Sequence, residues 1–322
     1  MEKHILSKST FIRGVQCEKS LYLNKHARNL RDELSPEQLA VFSQGTNVGE
    51  LAQGLFPGGV DCTPESYYNF QESVERTHAE IAKGTKVIYE AAFQFNGVLA
   101  ALDILVMEKD GWHAYEVKSS TKVSETYEMD ATIQYYAITN SGIDLKDISI
   151  IHINNKYTKN GPLDIKELFT IESVYARVQE LIVGIPNKVA RFKNVLLENE
   201  APSVDIGEHC DKPYGCDFSG HCWKHIPEYS IFDIAYLRKP KKFDLYNQGI
   251  LNLEDVPDDF PLNDNQWMQV QCTRSQEPFI DKKAIEGFVN DLVYPIYHLD
   301  FETFATAVPV FDGSRPYQQL VF

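Results

Sequence analysis

The chain has 322 residues, 43% hydrophobic and 24% charged, with 46 acidic and 31 basic side chains and a net charge of −15. That length allows one large or two ordinary domains with a sizeable core. The acidic balance argues against a passive nucleic-acid coat, which needs positive charge against phosphate, but is compatible with an enzyme whose centre holds cations.

Ser7 or Ser9 is placed to cap a first helix running to about residue 25, with Phe11, Val15, Leu21 and Leu23 on its apolar side and Cys17 within it. A second helix is expected over residues 36–55, ended by Phe56-Pro57-Gly58-Gly59, and a third over 70–83, stopped at Gly84. The period then shortens. Residues 86–95 and 98–107 read as strands joined by a tight Asn96-Gly97 turn, and 112–119 as a third strand after Lys109-Asp110-Gly111. A helix over 124–139, a buried strand over 148–153 and a helix over 170–198, interrupted at Gly184-Ile185-Pro186, complete the pattern. Residues 245–255 have the outline of a helix–turn–helix pair, and 296–303 that of a strand. The order implies an α/β fold, a mixed sheet flanked by helices with a C-terminal helical segment, and not a doubly wound sheet.

Asp110-Gly111 as a two-residue loop sets Lys109 opposite Trp112, Asp103 opposite Lys118 and Leu105 opposite Glu116. Side chains alternate across a strand, so Asp103, Glu116 and Lys118 share one face, with Leu102, Ile104, Val106, Tyr115 and Val117 on the other. Two carboxylates suit a hard divalent cation, the Val117 carbonyl can complete its coordination, and a lysine can position or deprotonate a water near a phosphate. The same residue types on an exposed strand also occur as plain cross-strand ion pairs. Gln134, on the helix that follows, is placed to reach a phosphate or the lysine. Glu50 is a further acid on the second helix, and Glu90 another on the first strand.

Cys210, Cys216 and Cys222 are spaced by five residues, and Cys17 lies far upstream. No apolar run approaches membrane-helix length, and the first residues lack the pattern of a signal peptide. A cytoplasmic protein with reduced thiols is therefore expected, in which clustered cysteines mark a metal site. Four thiolates suit a [4Fe–4S] cluster or zinc, and the wide gaps favour the cluster. Zinc held by the three clustered cysteines and one of His209, His221 or His225 is the alternative. Cys62 and Cys272 read as ordinary thiols. The basic runs Arg238-Lys239-Pro240-Lys241-Lys242 and Lys188, Arg191, Lys193 read as solvated faces.

Taken together, Asp103, Glu116-Val117-Lys118 and Gln134, flanked by Cys17 and Cys210/Cys216/Cys222, resemble the RecB-like branch of the PD-(D/E)xK nuclease superfamily. The match is to its iron–sulfur subgroup, which includes the CRISPR-associated adaptation exonuclease and the AddB nuclease. The resemblance covers about residues 1–226. It implies a restriction-endonuclease-like sheet and a Mg²⁺- or Mn²⁺-dependent DNA nuclease, often acting on single-stranded ends, with the cluster as a structural staple. That family usually carries a histidine four residues after the glycine of its first motif; here Gly45 is followed by Gly49 and then Glu50. Its tyrosine after the glutamine is missing too, although Tyr135 and Tyr136 adjoin Gln134.

His298-Leu299-Asp300-Phe301-Glu302-Thr303 is similar to the first motif of DnaQ-like 3′–5′ exonucleases. Whole proteins joining a RecB-like to a DnaQ-like module form a bacterial family, and the resemblance implies that residues 294–322 correspond to the first strand of the second module. The expected domains are 1–226 (nuclease with cysteine clamp), 227–293 (helical connector) and 294–322 (the start of the second module). A binding module without catalysis, partnering nucleic acid or protein in a defence or repair complex, and a redox sensor are the competing expectations.

Overall fold

The computed structural model describes residues 6–66 and 69–322. In chain order it runs β1 (Leu6–Ser7), α1 (Lys8–Gln16), α2 (Glu18–His26), α3 (Pro36–Gln53), β2 (Val60–Asp61), α4 (Phe70–Lys83), β3 (Val87–Phe95), β4 (Val98–Met107) and β5 (Trp112–Lys118). Then come α5 (Glu125–Asn140), β6 (Leu145–Ile153), α6 (Ile165–Leu168), β7 (Phe169–Ser173), α7 (Tyr175–Leu181) and α8 (Ile185–Val195). Beyond residue 203 lie α9 (Ser219–Cys222), α10 (Lys239–Asn247), α11 (Asp264–Ser275), α12 (Lys282–Asn290), β8 (Thr303–Phe304) and β9 (Leu320–Val321).

The sheet order is β2-β3-β4-β5-β6-β7, with β1 also on β4. The β3–β4, β4–β5 and β6–β7 pairs are antiparallel, whereas β2–β3, β5–β6 and β1–β4 are parallel. It is thus a mixed central sheet flanked by helices. Contacts divide the chain into two units. The first runs through Arg28 and resumes as Glu33–Ser203 and Glu302–Phe322; the second is Asn29–Asp32 with Val204–Phe301. The anticipated boundary at residue 226 falls inside the second unit, because the cysteine loop groups with the helices downstream of it.

Local chemistry explains the element ends. Ser7 caps α1 through a reciprocal bond with Thr10, and Ser35 does the same for α3 with Gln38. Asn96 and Gly97 take φ of 47° and 72°, the positive pair that a two-residue hairpin turn needs. β4 is apolar but for Asp103 and lies in the middle of the sheet, covered on both faces. One core layer joins Leu105, Trp112, Ala114, Ile148 and Ile150 to Ala131 and Ile138 of α5. The other joins Ile104, Val106, Tyr115, Ile151 and Ile153 to Val48 and Ala52 of α3 and to Ala307. Each fully buried isoleucine or leucine contributes about 1.5–3 kcal/mol.

Several expectations need correction. The first helix is two: Cys17, at φ −162° and ψ 117°, breaks it and opens α2. Residues 169–173 are a strand, not a helix start, because the edge of β6 offers Phe169–Ser173 a ladder. The 245–255 pair does not form; α10 ends at Asn247, Gly249 turns the chain at φ 81°, and one 3₁₀ turn follows. Residues 296–302 form no strand, and only Thr303–Phe304 pairs, with Leu320–Val321. The run at 238–242 is not merely solvated. Lys239 pairs with Asp211, Lys241 donates to the Pro261 carbonyl at 2.8 Å, and Lys242 to that of Phe232 at 2.5 Å. Arg191 likewise pairs with Glu18, and Lys193 donates to Asn96.

The β4–β5 register is the most consequential difference. Met107, not Lys109, stands opposite Trp112, and the four residues between them close through Glu108 N–H to the Gly111 carbonyl at 2.9 Å. The register therefore slips by two, and Asp103 falls opposite Glu116 instead of Lys118. A slip of two leaves every side chain on its expected face, since the pleat has period two. Leu102 is the exception. It packs with Leu105, while Ile104 and Val106 occupy the other layer. The alternation resets at Asp103, and in β3 it resets at Glu90, where Ile88 and Ala91 share a layer and Tyr89 takes the other. Glu90 has φ of 52°, and that positive angle turns the chain through half a pleat.

Candidate active site and cysteine loop

β4 has a single neighbour along one edge, β3, but its other edge is shared. β5 pairs with residues 104–107 and β1 with 98–99. β1 thus continues the line of β5 end to end, and α1 starts where β5 finishes. This brings Lys8 to Glu116, with Lys8 Nζ 2.5 Å from Glu116 Oε1. The same oxygen takes Lys118 Nζ at 2.7 Å, and Gln134 Nε2 donates to the other oxygen at 3.0 Å. Lys118 also reaches Asp130 Oδ2 at 2.6 Å and lies 5.3 Å from the centre of the Tyr127 ring.

Asp130 and Gln134 stand one helical turn apart on α5, which Ser124 caps, so both point at the end of β5. Asp103 Oδ2 accepts the Val117 N–H at 2.5 Å. An extended residue turns its N–H and C=O to the same edge, so the Val117 carbonyl also faces β4. Glu116 is 2% exposed, and Gln134 is fully buried.

The expected trio of Asp103, Glu116 and Lys118 is therefore brought together, and Gln134 joins it through Glu116 and not through the lysine. Glu50 stays apart, exposed on α3. Lys8 and Asp130 were not anticipated. Asp130 was legible in principle, four residues before Gln134 on a helix. No local signal marks Lys8.

Burial works against the charge on Glu116, but Lys118 and Lys8 outweigh it and hold the carboxyl down at about 2. Burial, then the Glu116 charge, pushes Asp103 up to about 8, and the same two causes lift Glu90 to about 7. Burial disfavours the Lys118 cation, yet Glu116 and Asp130 raise it well above its ordinary value. Lys118 is held as an ammonium by two carboxylate partners, which favours positioning and charge stabilisation over proton abstraction.

Among the described residues, no three His, Cys, Asp or Glu side chains already converge as a cage for a metal ion. The donor chemistry nonetheless fits a hard divalent cation. Asp103 and Glu90 are crowded carboxylates, and the Oε1 of Gln134 and Oδ1 of Asp130 are buried without a hydrogen-bond partner.

A cavity of about 730 Å³ lies at the residues directly after Lys118, lined by Ser119, Ser120, Thr121, Lys122 and Arg315 among others. Tyr317 donates to the Ser119 carbonyl there.

In the second unit, Cys210 is buried with Ile206 and Phe243, and Cys222, Trp223 and Phe232 pack against the same cluster. Cys216 N–H donates to the Cys210 carbonyl at 2.8 Å. His209 Nε2 lies 3.9 Å from Cys210 Sγ. The loop thus folds Cys210 and Cys222 into one aromatic pocket. His221 Nδ1 and Trp223 Nε1, on either side of Cys222, are buried without partners. Two thiols under aromatic cover beside a buried indole N–H are donor chemistry compatible with a sulfur-held metal group, and among the described residues no three Cys or His side chains converge here. Cys17 is half-buried between α1 and α2, in the first unit. Cys62 is buried in the core under β3, and burial raises its thiol.

A family model described as a domain of unknown function, DUF2779, matches residues 297–322. No curated protein matches the chain. The matched residues contain the whole His298–Thr303 motif, and both of its acids are exposed. Among the described residues no helix is long and apolar enough to cross a membrane.

Proposed function

We propose that the α5-side face of β4 and β5 is the active centre of a Mg²⁺- or Mn²⁺-dependent DNA nuclease of the PD-(D/E)xK kind, an exonuclease acting on single-stranded ends. The observation that carries this reading is the buried Glu116 carboxylate beside Asp103, bracketed by lysines and a glutamine on one strand end. Asp103, Glu116 and the Val117 carbonyl would hold the cation. When bound, it polarises a phosphate and acidifies a water.

The chain's own groups supply the rest. Lys118, fixed by Glu116 and Asp130, presents a permanent positive charge to a phosphate oxygen or to the attacking water. Gln134 keeps Glu116 in one rotamer. Ser119, Ser120, Lys122 and Arg315, with Gln44 of α3, line a polar, cationic cavity directly after Lys118 that the acids of the centre do not line.

In the same reading Cys17, Cys210, Cys216 and Cys222 hold a structural [4Fe–4S] cluster, with zinc as the alternative, in a cytoplasmic protein that joins a defence or repair complex. The test is degradation of an end-labelled single-stranded oligonucleotide by anaerobically purified protein with Mn²⁺ or Mg²⁺, against the same protein in chelator. A product ladder that requires the metal supports the reading, and intact oligonucleotide refutes it.

One observation favours a second reading. Lys8 and Lys118 already satisfy Glu116 as an ion pair, which suits a catalytically inert module that binds nucleic acid or protein. Metal-independent retention of the oligonucleotide without cleavage is its signature.

A further inference from the structure

We infer that Glu90 on β3 is a third carboxylate ligand of the divalent cation. The inference rests on the metal-centre reading above and extends it to a strand outside the β4–β5 hairpin.

Position is the first argument. The ladder pairs Tyr89 with Ile104 and Ala91 with Leu102, so Glu90 stands opposite Asp103. The pair Ile104–Tyr115, carried one step further, sets Asp103 opposite Glu116. Glu90, Asp103 and Glu116 therefore form one row across three adjacent strands.

Backbone geometry is the second. Glu90 is a non-glycine residue at φ 52°, and the alternation of both β3 and β4 resets at this row. A side chain with a β-carbon is disfavoured in that region. Such departures persist where the surroundings demand them, and they concentrate at functional sites.

Gln134 on α5 adds a group from outside the strands. Gln134 is fully buried, its amide meets the row through Glu116, and its Oε1 has no partner. A buried acceptor left without a partner beside the carboxylate row calls for a cation or a bound water. Donor chemistry agrees. Four carboxyl side chains (Glu90, Asp103, Glu116 and Asp130) gather around two ammonium groups (Lys8 and Lys118), a surplus of oxygen donors that suits a divalent cation. Glu50, the acid that the sequence favours for this role, is exposed on α3.

The experiment is Mn²⁺ titration of the full chain, followed by calorimetry and by the paramagnetic signal of free Mn²⁺. Wild type, Glu90→Gln, Glu90→Asn and Glu50→Gln are compared. Asparagine tolerates positive φ, so Glu90→Asn preserves the backbone even if Glu90→Gln does not fold. The expected result is that both Glu90 variants lose about tenfold or more in Mn²⁺ affinity, while Glu50→Gln stays within about twofold of wild type. Melting in chelator should show the Glu90 variants no less stable than wild type, since a repelling charge is gone. Wild-type affinity in both Glu90 variants removes Glu90 from the ligand set and leaves the metal-centre reading standing. A wild-type protein that takes up no Mn²⁺ overturns both.

Discussion

Lys118 and Asp130 are joined by an ion pair of 2.6 Å that ties the end of β5 to α5. With Glu116 at 2.7 Å on the other side, the ammonium has carboxylates from its own strand and from the helix packed over it. A lysine held this way keeps its proton and its place, which suits electrostatic work at a phosphate.

Lys118→Ala should therefore abolish metal-dependent cleavage while far-ultraviolet circular dichroism stays unchanged. Asp130→Asn should lower the turnover rate by about tenfold to a hundredfold, because Lys118 then swings between Glu116 and solvent. Oligonucleotide turnover under saturating Mn²⁺ checks both, and an unaltered rate in Lys118→Ala removes that residue from the chemistry.

Lys8 bonds to Glu116 and acts through space on Asp103, Asp130 and Glu90. Lys8→Met should cost about 1–2 kcal/mol of stability. That is less than a fully buried pair, because Lys8 is 26% exposed and Lys118 remains on the same carboxylate. It should also tighten Mn²⁺ binding, since the cation no longer competes with an ammonium for Glu116. Chemical denaturation and Mn²⁺ titration measure the two effects separately.

The pH dependence of stability in chelator separates the two central acids. Asp103 rises from its ordinary 3.8 to about 8 on folding. The folded state thus binds that proton more tightly, and the associated stability is fully present below 3.8 and lost as pH climbs through 8. The melting temperature of Asp103→Asn should accordingly gain on wild type between pH 4 and pH 8. Glu116 falls from 4.5 to about 2, so its contribution is present above 4.5 and lost as pH drops through 2. Glu116→Gln should be less stable than wild type at pH 7, and the gap should shrink in acid.

Anaerobically purified protein should be brown, with absorbance near roughly 400 nm and bound iron. Cys210→Ser and Cys222→Ser should lose colour and stability together, because the thiols sit in the aromatic pocket that the cluster would complete. Cys17→Ser should behave in the same way. Cys62→Ser and Cys272→Ser should keep the iron. A colourless protein containing zinc reverses the choice of metal.

Much of the sheet could be read directly. Asn96-Gly97 marked the first hairpin, and strict alternation put Asp103, Glu116 and Lys118 on one face even though the loop length was misjudged. The error was harmless because the register slipped by two, an even number. The break at Cys17 and the strand at 169–173 were not legible. Each depends on a partner surface, and local propensity is a weak guide wherever tertiary contacts decide.

The amino-acid sequence alone determined which side chains share a face, where the hairpin turns and which helix follows Lys118, since these depend on periods of two to four residues and on turn chemistry. Tertiary structure decided that Lys8 closes on Glu116 across 108 residues of chain and that Glu90 joins the carboxylate row. Both depend on which strand edges meet, and edge pairing is a property of the assembled sheet that no short stretch of sequence encodes.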